Sequence, residues 1–124
     1  AKYYLKAADQ GNRDAEWRVG WYYAHCVALA QDSKLAARYY HRAAIKKFAP
    51  AQYSMGTAYR EGVGVPLDKV RAYFWIKSSA LQGYQTATAA LPYLQSEMKA
   101  NELERGEAYV RRPETFFHDY PSLN

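Results

Sequence analysis

The amino-acid sequence predicts an all-α protein, a solenoid of antiparallel helix pairs (αα-hairpins) with a C-terminal capping helix. The main observation is an internal repeat: Ala15, Ala51 and Ala87 are spaced 36 residues apart, and Gly20 and Gly56 share this offset. A period of this length is typical of stacked helical hairpins, each of which buries its apolar face against its neighbours. A second observation is that small and aromatic residues recur at helical spacing on both sides of a glycine-rich turn.

Residues 51–83 show one complete hairpin. Their spacing indicates a first helix that ends near Glu61, a short turn, and then a second helix. Gly62 suits the left-handed conformation in which many helices end, and Asp68 can cap the helix that follows. Gly56 lies where a neighbouring helix must approach closely, so we expect a larger side chain there to overpack the interface.

Further helices follow from the same spacing along the chain. Asp14, Ser33 and Ser96 are the expected N-caps, and Pro92 predicts a kink or an early end in its helix. The expected helices cover residues 1–10, 15–26, 34–47, 51–61, 67–82, 84–95 and 97–111. The expected inward residues of the last helix are Met98, Leu103, Ala108 and Tyr109.

The C-terminal segment, residues 112–124, has two prolines and no helical periodicity, which predicts an irregular tail. Its aromatic residues Phe116, Phe117 and Tyr120 are expected to dock onto the last helices. We therefore divide the chain into a solenoid over residues 1–111 and this tail. The solenoid comprises a partial repeat 1–14, the repeats 15–50 and 51–86, and the capping helices 84–111. Because the chain begins inside a repeat, we expect it to be a fragment of a longer protein.

Three motifs between Ala51 and Trp75 make the repeat specific: Ala-x-x-x-x-Gly-x-x-Tyr, Gly-x-Gly-Val-Pro-x-Asp and Ala-x-x-Trp. They resemble the Sel1-like repeat family, a relative of the tetratricopeptide repeats, and the resemblance covers roughly residues 1–95. It implies a superhelix whose first helices line a concave surface. The preceding repeat departs from the motif in its turn, where we expect a longer helix or a strained conformation at Cys26. Here Cys26, Ala28 and Ala30 stand in place of Gly62, Gly64 and Pro66.

Composition restricts the class of protein. With 124 residues the chain supports one domain, and it has no apolar run of about 18 residues that would predict insertion into a membrane. Its single cysteine, Cys26, cannot form an internal disulfide, so both reducing and oxidising compartments stay open. Sel1-like proteins are common in bacterial envelopes, and this resemblance favours the periplasm or cell envelope without fixing the location.

Candidate catalytic and metal sites have simpler structural explanations. A zinc site would need ligands at tight spacing, which His25, Cys26 and His41 do not have. A catalytic thiol would need activating groups, and the sequence indicates none. Ser96 and Lys99 have the Ser-x-x-Lys spacing of β-lactamases, but the companion motifs are absent, and a helix cap followed by a surface lysine explains the pair. The sequence therefore predicts no enzyme, no cofactor and no metal, and a β-lactam-interacting enzyme is kept as an alternative.

A basic stripe, defined by Lys34, Arg38, Arg42 and Lys46, recurs every four residues on one helix. Such a stripe suits an anionic polymer, for example an envelope polysaccharide, and nucleic acid is a less favoured partner. A solvated outer helix face explains the same pattern. The net charge of +5 agrees with either interpretation.

The resemblance also implies a partner-binding face. On the analogy with tetratricopeptide superhelices, the residues expected on the concave side are Trp17, Trp21, Tyr53, Thr57, Arg60 and Tyr93. Trp17 and Tyr53 are equally explained as packing residues, and Trp21 could instead pack against the preceding repeat. Trp21 would supply an apolar anchor site and Arg60 a charge for a carboxylate. The predicted function is a non-catalytic protein–protein interaction or scaffolding module that holds a partner segment with an acidic residue.

Overall fold

The computed structural model of the protein describes residues 2–25, 32–121 and 123, and every regular element in these ranges is an α-helix. The all-α prediction is therefore confirmed. The helices are α1 (Lys2–Asp9), α2 (Arg13–His25), α3 (Ser33–Ile45), α4 (Ala49–Glu61), α5 (Lys69–Leu81), α6 (Gln85–Glu97), α7 (Ala100–Arg111) and α8 (Pro113–Asp119). The predicted irregularity at Cys26, Ala28 and Ala30 lies outside the described residues.

The helices stack as successive hairpins. From α1 to α6 each helix packs mainly against its neighbours along the chain, whereas α7 packs mainly against α5. Helix α5 is the centre of the main core because its apolar residues are buried around most of its circumference, as expected for a helix covered by neighbours on several sides. The buried apolar residues of α5 are Val70, Ala72, Tyr73, Phe74, Trp75 and Ile76.

Two glycines set how closely the helices approach. A Cβ atom at Gly56 would overlap the side chain of Ile76 and lie 3.1 Å from the Ala72 carbonyl oxygen. At Gly20, the equivalent position of the preceding repeat, a Cβ would lie 2.8 Å from Cδ1 of Tyr40. The prediction that Gly56 is a close-contact position is confirmed. In both repeats a glycine at this position allows the two helices to approach closely.

The turn of the complete hairpin forms as predicted. Gly62 ends α4 with φ 69° and ψ 39°, the left-handed conformation. Asp68 caps α5, since its Oδ1 accepts a hydrogen bond of 3.1 Å from the Arg71 backbone N–H. Pro50 lies in the first turn of α4, where its missing N–H costs nothing.

Two other predicted caps are wrong. The Asn12 side chain caps α2 by accepting from the Ala15 N–H at 2.9 Å, while Asp14 lies within the helix and pairs with Arg18. Asp32 caps α3 by accepting from the Leu35 N–H at 3.0 Å, so Ser33 is the first helical residue rather than the cap. In both cases a stronger or better-placed acceptor precedes the predicted residue by one or two positions.

The sequence predicted a kink or an early end at Pro92; α6 does not end early but continues to Glu97. Pro92 is exposed, so its ring meets solvent instead of a neighbouring helix. Ala87 and Leu94 are fully buried on the opposite face, and their packing holds the helix together across the proline.

The capping helix α7 begins at Ala100, three residues later than predicted. Ser96 is not its cap: it lies in the last turn of α6 and donates to the Tyr93 carbonyl at 2.6 Å. Instead, the side chain of Glu102 accepts the Lys99 backbone N–H at 2.8 Å. Ala108 is exposed, contrary to prediction, and Gly106 is the buried residue of this helix. Met98, Leu103 and Tyr109 pack against the core as expected.

The segment expected to be an irregular tail contains helix α8, which begins at Pro113. Phe116 is only 2% exposed and stacks on Phe74 with ring centroids 3.7 Å apart. Tyr120 packs against the core cluster, whereas Phe117 remains 42% exposed. The expected docking therefore occurs, but through a short helix whose main anchor is one buried ring.

A polar pair joins the first helix of each hairpin to the C-terminal end of the second, and its chemistry differs between repeats. In the first repeat, Nζ of Lys46 lies 2.8 Å from Oε1 of Glu16, a residue that is 2% exposed. At the equivalent position 36 residues later, Gln82 donates to Oε1 of Gln52 at 2.7 Å. An ion pair in one repeat and an amide pair in the next thus occupy equivalent positions, because each pair supplies a hydrogen-bond donor and an acceptor.

The equivalence of the two pairs gives a stability prediction. Lys46→Met should lower the free energy of unfolding by about 1–2 kcal/mol, because the buried Glu16 carboxylate loses its cation. The double change Glu16→Gln with Lys46→Gln should cost less than the single change, because it recreates the amide pair of the next repeat. Urea denaturation followed by circular dichroism measures both. A double variant less stable than Lys46→Met would contradict the equivalence.

Candidate functional site

A groove of about 380 Å³ lies between α2 and α4, with α3 as its floor. We call it the aromatic groove. The residues that line it are Trp17, Trp21, Ala24, His25, Ser33, Ala36, Ala37, Tyr40, Pro50, Tyr53, Ser54, Thr57, Ala58, Glu61, Val63 and Tyr84. It thus spans two successive repeats.

Helical periodicity explains how the groove is built. Trp17 and Trp21 are one turn apart on α2, and Tyr53, Thr57 and Glu61 are one turn apart on α4, so each set forms one wall. Small residues of α3 form the floor, which leaves space between the two aromatic walls. The small floor residues are Ser33, Ala36 and Ala37.

Trp17 is held in a fixed position between the repeats. Its Nε1–H donates to Oγ of Ser54 at 3.1 Å, and the Ser54 hydroxyl donates to the Pro50 carbonyl at 3.0 Å. Its ring also contacts Phe48 edge-on, with centroids 6.0 Å apart. Trp17 is therefore both a packing residue and a preorganised part of the groove wall.

Trp21 is the most exposed large aromatic residue of the groove, at 45%. Its ring stacks on the His25 imidazole at 4.6 Å, and Nδ1 of His25 donates to the Trp21 carbonyl at 3.0 Å. Trp21 is thus supported by its own helix and is not buried inside the repeat stack. Its exposed ring surface is available to a ligand.

Tyrosines also line the groove. Tyr53 and Tyr84 pack with ring centroids 5.9 Å apart, and both line the groove. Tyr40 lies in the floor, where burial raises its pKa to about 12. Its hydroxyl therefore stays protonated at neutral pH, and the floor carries no phenolate charge.

Two of the six predicted site residues lie outside the groove. Arg60 is bound by the chain itself, because its Nε and one terminal nitrogen donate to the two carboxylate oxygens of Glu97, both at 2.9 Å. This hydrogen-bonded pair raises the pKa of Arg60 and lowers the pKa of Glu97. Tyr93 is 69% exposed on α6 and does not line the groove. The groove brings together the other four predicted residues, which are Trp17, Trp21, Tyr53 and Thr57.

The groove residues that were not predicted include four with aromatic or ionisable side chains, which are His25, Tyr40, Glu61 and Tyr84. The signal for His25 and Glu61 was present, since each follows a predicted site residue by one helical turn on the same helix. Tyr40 comes from a second helix and Tyr84 from a connection. The analogy that assigned only first helices to the concave surface therefore could not find them.

Two members of the basic stripe contact buried residues of the chain. Lys46 is paired with Glu16 and donates to the Gly11 carbonyl at 2.8 Å. Arg42 lies over the Tyr39 ring, 4.9 Å from its centroid. All four residues of the stripe are exposed, as expected on a solvated outer face. Because the charge of Lys46 is already paired with Glu16, three of the four remain for a polyanion.

The remaining candidate sites lack the required surroundings. His41 is 6% exposed and packs edge-on against Trp75, and burial lowers its pKa, which favours the neutral ring. Among the residues that the structure describes, no cluster of three or more His, Cys, Asp or Glu could hold a metal ion. In the same part of the chain, no helix is long and apolar enough to cross a membrane.

Comparison with known sequences matches one family. The model of the Sel1 repeat family matches residues 1–12, 13–47 and 49–84. A curated relative, chitin synthase regulatory factor 3 of Schizosaccharomyces pombe, is 34% identical over 91 residues. The match covers 72% of this chain but only 10% of that protein.

Solved structures agree with the helical architecture. A Sel1 repeat protein from Oxalobacter formigenes superposes with a TM-score of 0.71 and 35% identity, covering 73% of this chain and 68% of that one. The protein c5321, a protective antigen present in uropathogenic Escherichia coli strains and displaying an SLR fold, superposes with a TM-score of 0.85. It covers 99% of this chain and 28% of that one at 21% identity, so it supports the fold alone.

Proposed function

Because the chain belongs to the Sel1 repeat family, we propose that it is a non-catalytic interaction module whose aromatic groove holds a segment of a partner protein. Sel1 repeat proteins generally mediate protein–protein interaction. The observation that carries the proposal for this chain is Trp21, which is 45% exposed yet held in place by its own helix. An ordered, half-exposed tryptophan in a groove is a typical anchor site for a partner.

The groove is prepared for binding before a partner arrives. The hydrogen bond from Trp17 to Ser54 fixes one wall, so little side-chain entropy is lost there on association. The small residues of the floor leave room for an apolar side chain beside Trp21. A partner segment of a few residues, extended or helical, would bury this aromatic surface and exclude water from it.

The proposal predicts that Trp21→Ala weakens binding without unfolding the protein. A phage-displayed random peptide library, panned on the wild-type protein, supplies the ligand, and its Kd is measured by fluorescence anisotropy. Loss of a central aromatic anchor typically costs about 2 kcal/mol or more, which is roughly thirtyfold in Kd. The melting temperature should hardly change, because the side chain is 45% exposed and the two rings that it contacts, Tyr22 and His25, belong to its own helix.

Tyr93→Ala is the matched control, since Tyr93 is also an exposed aromatic residue but lies outside the groove. It should leave both Kd and melting temperature unchanged. A fall of several degrees in the melting temperature of Trp21→Ala, with Kd unchanged, would instead assign Trp21 to packing.

No structural observation favours the two alternatives. The β-lactam hypothesis needs Ser96 and Lys99 on one helix, but Ser96 lies in α6 and Lys99 precedes α7. The anionic-polymer hypothesis is weakened because Lys46 pairs with Glu16. The bacterial envelope location stays a prediction, and the fungal relative shows that similar chains are not restricted to bacteria.

A further inference from the structure

We propose that the aromatic groove selects a partner segment with a lysine or arginine beside its apolar anchor, and that Glu61 is the counter-charge. The inference rests on the proposed function and names the chemistry of the ligand. It reverses the polarity expected from the sequence, in which Arg60 was to receive an acidic residue.

The first support is the charge of the groove. Among the described residues that line it, Glu61 is the only Asp, Glu, Lys or Arg. Glu61 is exposed, and within the described ranges it forms no ion pair. A carboxylate at the edge of an apolar groove attracts a cation and is unfavourable next to a second carboxylate.

The second support is the fate of the neighbouring charge. Arg60 precedes Glu61 on α4 and would otherwise compensate it. Both carboxylate oxygens of Glu97 accept from the Arg60 guanidinium, so Arg60 gives these hydrogen bonds to Glu97 and interacts with Glu61 only as a nearby charge. The negative charge of Glu61 therefore remains for a ligand.

The third support is the position of Glu61 in its helix. It is the last residue of α4, where the backbone carbonyls give the helix a partial negative charge. The side chain and the helix end thus contribute potential of the same sign. Trp21 lines the same groove, and an aromatic ring also attracts cations through its face. Arginine, which both stacks on rings and pairs with carboxylates, suits this combination best.

The test compares peptide selection by three proteins. The same random peptide library is panned in parallel on the wild-type protein, on Glu61→Lys and on Glu104→Lys. Glu104 is an exposed residue of α7 outside the groove, so it controls for the change in net charge. We expect the wild-type protein and Glu104→Lys to enrich peptides with an apolar residue beside Lys or Arg. Glu61→Lys should lose this basic preference.

A quantitative measurement follows with one enriched peptide. Glu61→Gln should weaken its binding about two- to fivefold, the range for a solvent-exposed ion pair. The difference between wild-type and variant should shrink as the salt concentration rises, because salt screens the pair. Glu104→Gln should bind as the wild-type protein does.

The outcomes separate this inference from the proposed function. If the wild-type protein enriches no peptide, the groove is not a peptide site, and both proposals fall. If it enriches apolar peptides without a basic preference, or peptides rich in Asp and Glu, the groove binds peptides but the role of Glu61 is wrong. Equal selection by the wild-type protein and Glu61→Lys would overturn the inference in the same way.

Discussion

Replacing Phe116 with alanine is expected to lower the free energy of unfolding by about 3–5 kcal/mol, the usual cost of removing a buried aromatic ring. Phe116 is 2% exposed and stacks on Phe74 at 3.7 Å. Its ring also meets the edges or faces of Trp75, Tyr109 and Tyr120. Removing it would leave a cavity at the junction of α5, α7 and α8 that these large rings cannot readily fill.

Phe117→Ala provides the control, since the adjacent residue has the same side chain but is 42% exposed. We expect a loss below about 1 kcal/mol, because much of this ring already contacts water. Urea denaturation followed by far-ultraviolet circular dichroism gives both values, and the slope of each transition reports whether α8 unfolds with the rest. Similar losses in the two variants would contradict the docking of α8 through Phe116.

Gly56→Leu is the second change with a large expected effect, a loss of about 1–3 kcal/mol or more. The first carbon of any side chain at this position already meets Ile76 and the carbonyl oxygen of Ala72. A backbone oxygen cannot move aside as a flexible side chain can, so the whole hairpin of α4 and α5 would have to open. Gly56→Ala should show a smaller loss, because only one carbon is added.

The matched control is Ala89→Leu, which enlarges a small but exposed residue of another helix. This variant should keep the wild-type melting temperature, measured by differential scanning calorimetry. An unchanged melting temperature in Gly56→Leu would contradict the repeat register itself, since the register is what brings Gly56 against α5.

The repeat was predictable because its determinants act locally. Gly62 ends α4 and Asp68 caps α5 through hydrogen bonds to residues a few positions away. Gly56 is the small residue at which α4 and α5 approach closely. Helix α8 was not predictable in this way. Its seven residues are too few to show periodicity, and it is stabilised by Phe74, which lies in a helix far earlier in the chain.

The candidate site likewise contains residues that the sequence could identify and a contact that it could not. The analogy with tetratricopeptide superhelices named Trp17, Trp21, Tyr53 and Thr57, and these four residues line the groove because one face of each first helix turns toward it. The partner of Arg60 could not be predicted, since Glu97 is 37 residues away and belongs to another helix pair. The sequence analysis expected a carboxylate of the partner for this guanidinium, whereas in the structure the carboxylate is that of Glu97.

The serial packing of the helices also has a consequence for the speed of folding. Because most helix contacts join neighbours along the chain, the contact order is low, and little loop-closure entropy opposes each step. The pair α4 and α5 lies in the middle of the stack, and α3 and α6 pack on it from either side. Such a chain should fold within microseconds to milliseconds, and its terminal helix α1, which packs mainly on α2, should open before the centre does.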